Sequence, residues 1–213
     1  MMKIALSQRV EVVPDRDERR DCLDQAWTPL LRACGYWPIP LANGVADVED
    51  LVTELGLSGV ILTGGNDLGH LPGTKNAAPE RDAFETKLLD CCAARRIPVL
   101  GVCRGLQMMV AHGGGQVTRV DGHVATRHAI SVVNGAGLPI TDRPEVNSYH
   151  GFGVRPDGLG PDWRVIATAP DGTVEAIAHR HRPQWGMMWH PERPPHDEQD
   201  IHLIRALFDG RNS

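Results

Sequence analysis

The tightest constraint on this chain is a rhythm of short apolar runs, several of which stop at glycine or a small polar residue. Met2–Leu6, Gly59–Leu62 and Ile97–Val102 read as buried strands, and Tyr36–Leu41, with Pro38 and Pro40, as an edge strand. Helical patterns lie between and after them: around Asp21–Cys34, over Asp47–Leu55 with Leu51, Val52 and Leu55 on one face, over Pro79–Arg96, and over Arg104–Ala111. Pro79 suits a first helical turn, acids follow it, and Arg95-Arg96 suit the last. Gly113-Gly114-Gly115 ends the fourth helix. Alternation of this kind predicts an α/β fold with a parallel sheet flanked by helices.

Beyond residue 116 the texture changes. Strand-like pieces at Ala129–Val133, Trp163–Ala167, Val174–Ala178 and Gln184–Trp189 predict an antiparallel, loop-rich second half closed by a helix near Asp197–Phe208. No linker, repeat or low-complexity tract interrupts the chain, so one domain over 1–213 is expected. With 213 residues, 41% of them apolar, a core can form without a metal or disulfide staple. A net charge of −5 argues against nucleic-acid binding, and no apolar run is long enough to span a membrane. The amino-terminal stretch does not read as a signal peptide. Five cysteines without a C-x-x-C predict free thiols and a cytoplasmic setting.

One cysteine stands apart. Gly101-Val102-Cys103-Arg104-Gly105 is a G-x-C-x-G sequence at a strand-to-helix junction. A sharp turn there pushes the nucleophile outward, and the glycines keep Cβ atoms out of the crowded crossing. The helix dipole favours a thiolate, and the Arg104 N–H faces the same spot as an oxyanion donor. Cys22, Cys34, Cys91 and Cys92 fall within helical patterns and read as packing residues.

A thiol nucleophile needs a base and a group that orients it. His190 ends the run Trp185–Trp189, and Pro191 stops the strand. Glu192 at i+2 projects to the same side if the chain is extended there. His190-Pro191-Glu192 also matches the H-x-E of zinc deaminases, but the downstream cysteine pair which that site requires is missing. Gly64 and Gly69 have phosphate-loop spacing, but His70 stands where the lysine belongs.

With these motifs placed, the chain resembles class I glutamine amidotransferase-like hydrolases of the gamma-glutamyl amide hydrolase branch. The matching blocks are Leu62–Asp67, Arg81-Asp82 with Glu85, Gly101–Gln107, Val146–His150 and Met188–Arg193. The resemblance implies a flavodoxin-like fold and a Cys103–His190–Glu192 triad. It also implies an oxyanion hole from the N–H groups of Gly65 and Arg104, and glutamyl contacts from Gly64, Gln107, Ser148, Tyr149 and His150. Further similarity at Ser7–Val10, Arg20–Asp24, Gly65–Leu68 and His123–His128 is to members acting on nucleotide amidates. It makes Arg9, His123, Arg127 and His128 candidates for the distal half of the substrate, Arg127 and the histidines for a diphosphate. The implied reaction is hydrolysis of a small gamma-glutamyl conjugate, with no cofactor and no metal. The implied partner is that small molecule. A homodimer is compatible with the sequence, as is a glutaminase subunit serving a separate synthase.

Overall fold

The computed structural model describes residues 1–135 and 137–210. The other positions of the expected 1–213 unit lie outside the described residues. In chain order the elements are β1 (Lys3–Ser7), β2 (Arg9–Val13), β3 (Glu18–Cys22), α1 (Trp27–Ala33), β4 (Trp37–Leu41), α2 (Val48–Leu55), β5 (Gly59–Leu62), α3 (Pro79–Arg95), β6 (Val99–Val102) and α4 (Arg104–His112). There follow β7 (Thr118–Arg119), β8 (Thr126–Val132), β9 (Arg143–Ser148), β10 (Phe152–Gly153), β11 (Trp163–Thr168), β12 (Val174–His179), β13 (Gln184–Met187) and α5 (Glu198–Asp209).

Nine strands form one sheet in the order β4-β1-β5-β6-β13-β12-β11-β8-β9. The first five pair in parallel and the last five antiparallel, with β13 belonging to both sets. Strand alternation sorts the core onto two faces. Ala5, Val60, Leu62 and Val99 meet α2, α3 and α4 through Val52, Phe84, Leu88 and Leu106. Ile4, Leu6, Ile61, Leu100 and Val102 meet α1 and α5 through Leu30, Leu31, Leu203 and Phe208. Each such fully buried side chain stabilises the fold by roughly 1.5–3 kcal/mol relative to exposure.

Three expectations need correction. The polar stretch after β1 is a β2–β3 hairpin, so Cys22 lies on a strand and α1 starts at Trp27 instead of Asp21. The second half contains β9, which carries no clear apolar alternation. Finally, β13 runs parallel to β6, so the parallel sheet has a fifth strand. The expected last helix is present, with Asp197 as its N-cap accepting from the Gln199 N–H at 2.8 Å. Among the described residues no helix is long and apolar enough to cross a membrane.

Candidate active site

The loops after β1, β5 and β6 emerge at the carboxyl ends of adjacent parallel strands, where open α/β sheets build their clefts. Cys103 sits at the sharpest of these turns. Its φ of 52° and ψ of −106° are strained for any residue with a Cβ, and the turn leads directly into α4. Two glycines permit it. A Cβ on Gly105 would come within 2.0 Å of the Leu62 carbonyl oxygen, and one on Gly101 within 2.4 Å of Met109 Sδ. The Cys103 N–H is taken by the Met187 carbonyl at 2.8 Å, which fixes the nucleophile to β13. The Arg104 N–H, first in its helix, belongs to the donors that a helix leaves unpaired.

His190 and Glu192 complete the cluster. The His190 Nδ1 bonds Glu192 Oε1 at 2.7 Å in a turn after β13, not in the extended chain expected. Asn147 clamps the same turn from β9. Its Oδ1 accepts from the His190 N–H at 2.8 Å and its Nδ2 donates to the His190 carbonyl at 3.0 Å. Trp189 is locked one residue earlier, its Nε1 donating to Asp200 at 3.0 Å while Arg143 holds Asp200 at 2.8 Å. Burial pulls the His190 pKa down, but the nearby Cys103 thiol, helped by Glu192, lifts it to about 10. Cys34, Cys91 and Cys92 are buried and fit a packing role, whereas Cys22, expected to pack, is half-buried and lines the pocket that holds Cys103. Burial pushes Cys34 up to about 11 and Cys91 upward as well, and all five cysteines are free.

The β5 loop forms the opposite wall. Arg81, fully buried on α3, donates to the carbonyls of Thr63, Gly64 and Gly65 at 2.6, 3.0 and 2.7 Å. With Gly65 at φ +81°, this grip engages the loop's carbonyls from the α3 side and leaves Gly64 and Gly65 lining the cleft beside Cys103. Glu85 answers both Arg81 and the Arg104 side chain, which also pairs with Asp82. Burial would raise the Glu85 pKa, yet the two guanidinium groups hold it below the usual carboxylate range.

Cys103, His190, Glu192, Gly64, Gly65, Arg9 and Tyr149 share one inner pocket of about 180 Å³. A wider groove of about 850 Å³ continues from it, with Asp24, Tyr149, His190 and Arg193 common to both and Arg127 on its wall. Tyr149 stands edge-on to His190, and Arg193 stacks on Tyr149 at 3.7 Å. Of the remaining candidates only Arg127 lines this groove. The Gln107 amide donates to the Phe152 carbonyl and the Ser148 hydroxyl to the His123 carbonyl. His123, His128 and His150 gather around Glu175. Arg127 is exposed and paired with Glu145. Sequence reading missed the roles of Asn147, Arg81 and Arg193, although each lies in or beside a motif it singled out.

A family model described as Peptidase C26 matches residues 4–192. Gamma-glutamyl-CDP-amidate hydrolase of Campylobacter jejuni is 29% identical over 211 residues, covering 97% of this chain and 98% of that protein. Gamma-glutamyl-gamma-aminobutyrate hydrolase of Escherichia coli O157:H7 is 33% identical over 220 residues, covering 88% and 84%. The crystal structure of a glutamine amidotransferase from Thermotoga maritima superposes with a TM-score of 0.62 at 18% identity, covering 99% of this chain and 84% of that one.

Proposed function

Because this chain belongs to the peptidase C26 family, with the class I glutamine amidotransferase-like fold, we propose that it is a cysteine-dependent gamma-glutamyl amide hydrolase whose substrate is a gamma-glutamyl-CDP-amidate. The observation that carries the reaction is the single cleft in which Cys103, His190 and Glu192 meet. The Cys103 thiolate attacks the gamma-carbonyl carbon. The resulting oxyanion takes hydrogen bonds from the N–H groups of Gly65 and Arg104. The C–N bond breaks as His190 gives its proton to the leaving nitrogen, leaving a glutamyl thioester on Cys103. Water then attacks with His190 as base. Glutamate leaves, the thiol is regenerated, and the other product is cytidine diphosphoramidate.

Cavity shape favours the nucleotide conjugate over the aminobutyrate one. The inner pocket matches a glutamyl group, whereas the groove beyond it is far larger than an aminobutyrate tail needs. Arg193 stands at the junction and Arg9 on the wall of the inner pocket, each with a buried Nε that has no hydrogen-bond partner among the described residues. Such donors suit a diphosphate. The second reading, gamma-glutamyl-gamma-aminobutyrate hydrolysis, draws on the 33% identical relative. Glutamate release from the nucleotide amidate, the aminobutyrate conjugate and glutamine separates the readings by kcat/KM. A preference for the aminobutyrate conjugate overturns the nucleotide assignment, and preference for glutamine points to an ammonia-supplying glutaminase. Loss of all turnover in Cys103→Ala is expected in every case.

A further inference from the structure

Three histidines and a glutamate outside the catalytic cleft converge in a way that the proposed reaction does not use. His123 lies before β8, His128 on β8, His150 just after β9 and Glu175 on β12. One ligand-type atom from each lies within 4.8 Å of all the others. Glu175 Oε1 is 3.5 Å from His123 Nδ1, 3.6 Å from His128 Nε2 and 3.5 Å from His150 Nε2. Glu175 is fully buried, and His123 and His150 nearly so.

The outer side of each ring is already fixed. His123 Nε2 faces Asp171 Oδ2 at 3.3 Å, His128 Nδ1 faces the Ala129 carbonyl at 3.0 Å, and His150 Nδ1 faces the Phe152 carbonyl at 3.0 Å. Carbonyl and carboxylate oxygens only accept, so those nitrogens carry the protons. The opposite nitrogens, His123 Nδ1, His128 Nε2 and His150 Nε2, then present lone pairs to the centre. Among the described residues none of the three has a hydrogen-bond partner, and neither does either Glu175 carboxylate oxygen. Acceptors crowded together in the interior without a donor are costly. A cation at their centre removes the cost, and imidazoles held from behind by carbonyl or carboxylate groups are the usual outer shell of a metal site.

We propose that His123, His128, His150 and Glu175 form a structural binding site for a divalent transition metal of the zinc type. Three imidazoles and one carboxylate suit zinc or cobalt and disfavour calcium or magnesium. Bonds of about 2.0–2.2 Å in a tetrahedron put neighbouring ligand atoms roughly 3.3–3.6 Å apart. The glutamate-to-histidine separations already have that length, and small rotations of the rings draw in the wider histidine pairs. Four protein ligands leave no open position, so the metal holds structure and does not activate water. What it holds adjoins the cleft. The Ser148 hydroxyl and the His150 N–H both bond the His123 carbonyl, which places the site beside Tyr149. The Glu175 carbonyl accepts from the Met188 N–H at 2.8 Å, two residues before His190. The inference stands whether or not the substrate assignment above does.

The test is metal analysis of the full-length chain, before and after chelation and reconstitution. About one zinc per chain is expected as purified. Cobalt added to stripped protein should give the intense visible bands of a four-coordinate ion, and zinc should raise its thermal midpoint. Glu175→Gln should weaken zinc binding at least about tenfold. His128→Ala, at the most accessible of the four, serves if the buried change prevents folding. Cys103→Ala should bind zinc like the wild type, which separates this site from the catalytic thiol. Stripped protein that takes up neither metal overturns the proposal, as does uptake abolished by Cys103→Ala or indifferent to both ligand variants.

Discussion

Arg81 and Arg104 lie on different helices, are both buried, and share one carboxylate. Glu85 Oε1 receives Arg81 Nε at 2.8 Å while Oε2 receives Arg104 Nη1. One guanidinium grips the β5 loop and the other belongs to the residue after the nucleophile. The two walls of the cleft are thus fastened through Glu85.

Glu85→Gln leaves two buried cations short of a counter-charge, which costs about 3–5 kcal/mol. At roughly 2–4 °C per kcal/mol for a chain of this size, the thermal midpoint should fall by about 6–20 °C. The folded-state pKa of Glu85 is lowered, so its stabilisation is present above the unfolded carboxylate value near ~4.3 and fades as pH falls through the folded one. Melting curves below pH 5 should therefore be flatter for the variant than for the wild type. A variant with wild-type stability and acid response would remove Glu85 from this role.

His190 should remain an imidazolium through neutral pH, since its pKa is raised from 6.5 to about 10. A raised cationic pKa stabilises the fold fully below about pH 6.5, and that contribution disappears as pH climbs through 10. Cys103→Ala removes the strongest group opposing burial, so the imidazole should titrate at lower pH. NMR titration of the ring measures this directly. An unchanged midpoint in the variant would show that the two side chains do not communicate.

Gly64→Ala places a methyl 2.9 Å from His190 Cε1 and 3.7 Å from Cys103 Cβ. The ring must give way, while the core beneath stays intact. A fall of about 10- to 100-fold in kcat/KM is expected, with little change in thermal midpoint. Equal activity would mean that the imidazole has slack which the distances do not suggest.

Arg193→Ala tests the distal half of the substrate. Losing a charge-assisted contact to a diphosphate costs about 1.5–3 kcal/mol, roughly a 10- to 150-fold rise in KM. Glutamine, which has no distal half, should be almost unaffected. Equal losses on both substrates would place Arg193 against the glutamyl half instead.

What the sequence disclosed follows from how local each signal is. The turn around Cys103 was legible because its steric demands fall on Gly101 and Gly105, two residues to either side. The His190–Glu192 pairing was legible as a neighbour relation, though a turn achieves it and not an extended strand. The β2–β3 hairpin was hidden because Glu18–Asp21 are all exposed, so no apolar alternation marks the strand. The direction of β13 was hidden too, since a buried strand of four residues has the same composition whichever neighbour it joins. The family resemblance implied no metal, and the histidine–glutamate cluster left no local signal in the sequence. Its members come from positions 123, 128, 150 and 175 and meet only through strand pairing.

The double allegiance of β13 has a consequence for how this molecule can vary. Met187 is in register with Val102, so thiol and imidazole leave the sheet from adjoining rungs. Everything the chain does between α4 and β13 is an excursion that returns to this one alignment. Loops on that excursion can lengthen or shorten at modest entropic cost, whereas one residue added or lost inside β13 turns its side chains to the opposite face and swings the imidazole off its partner.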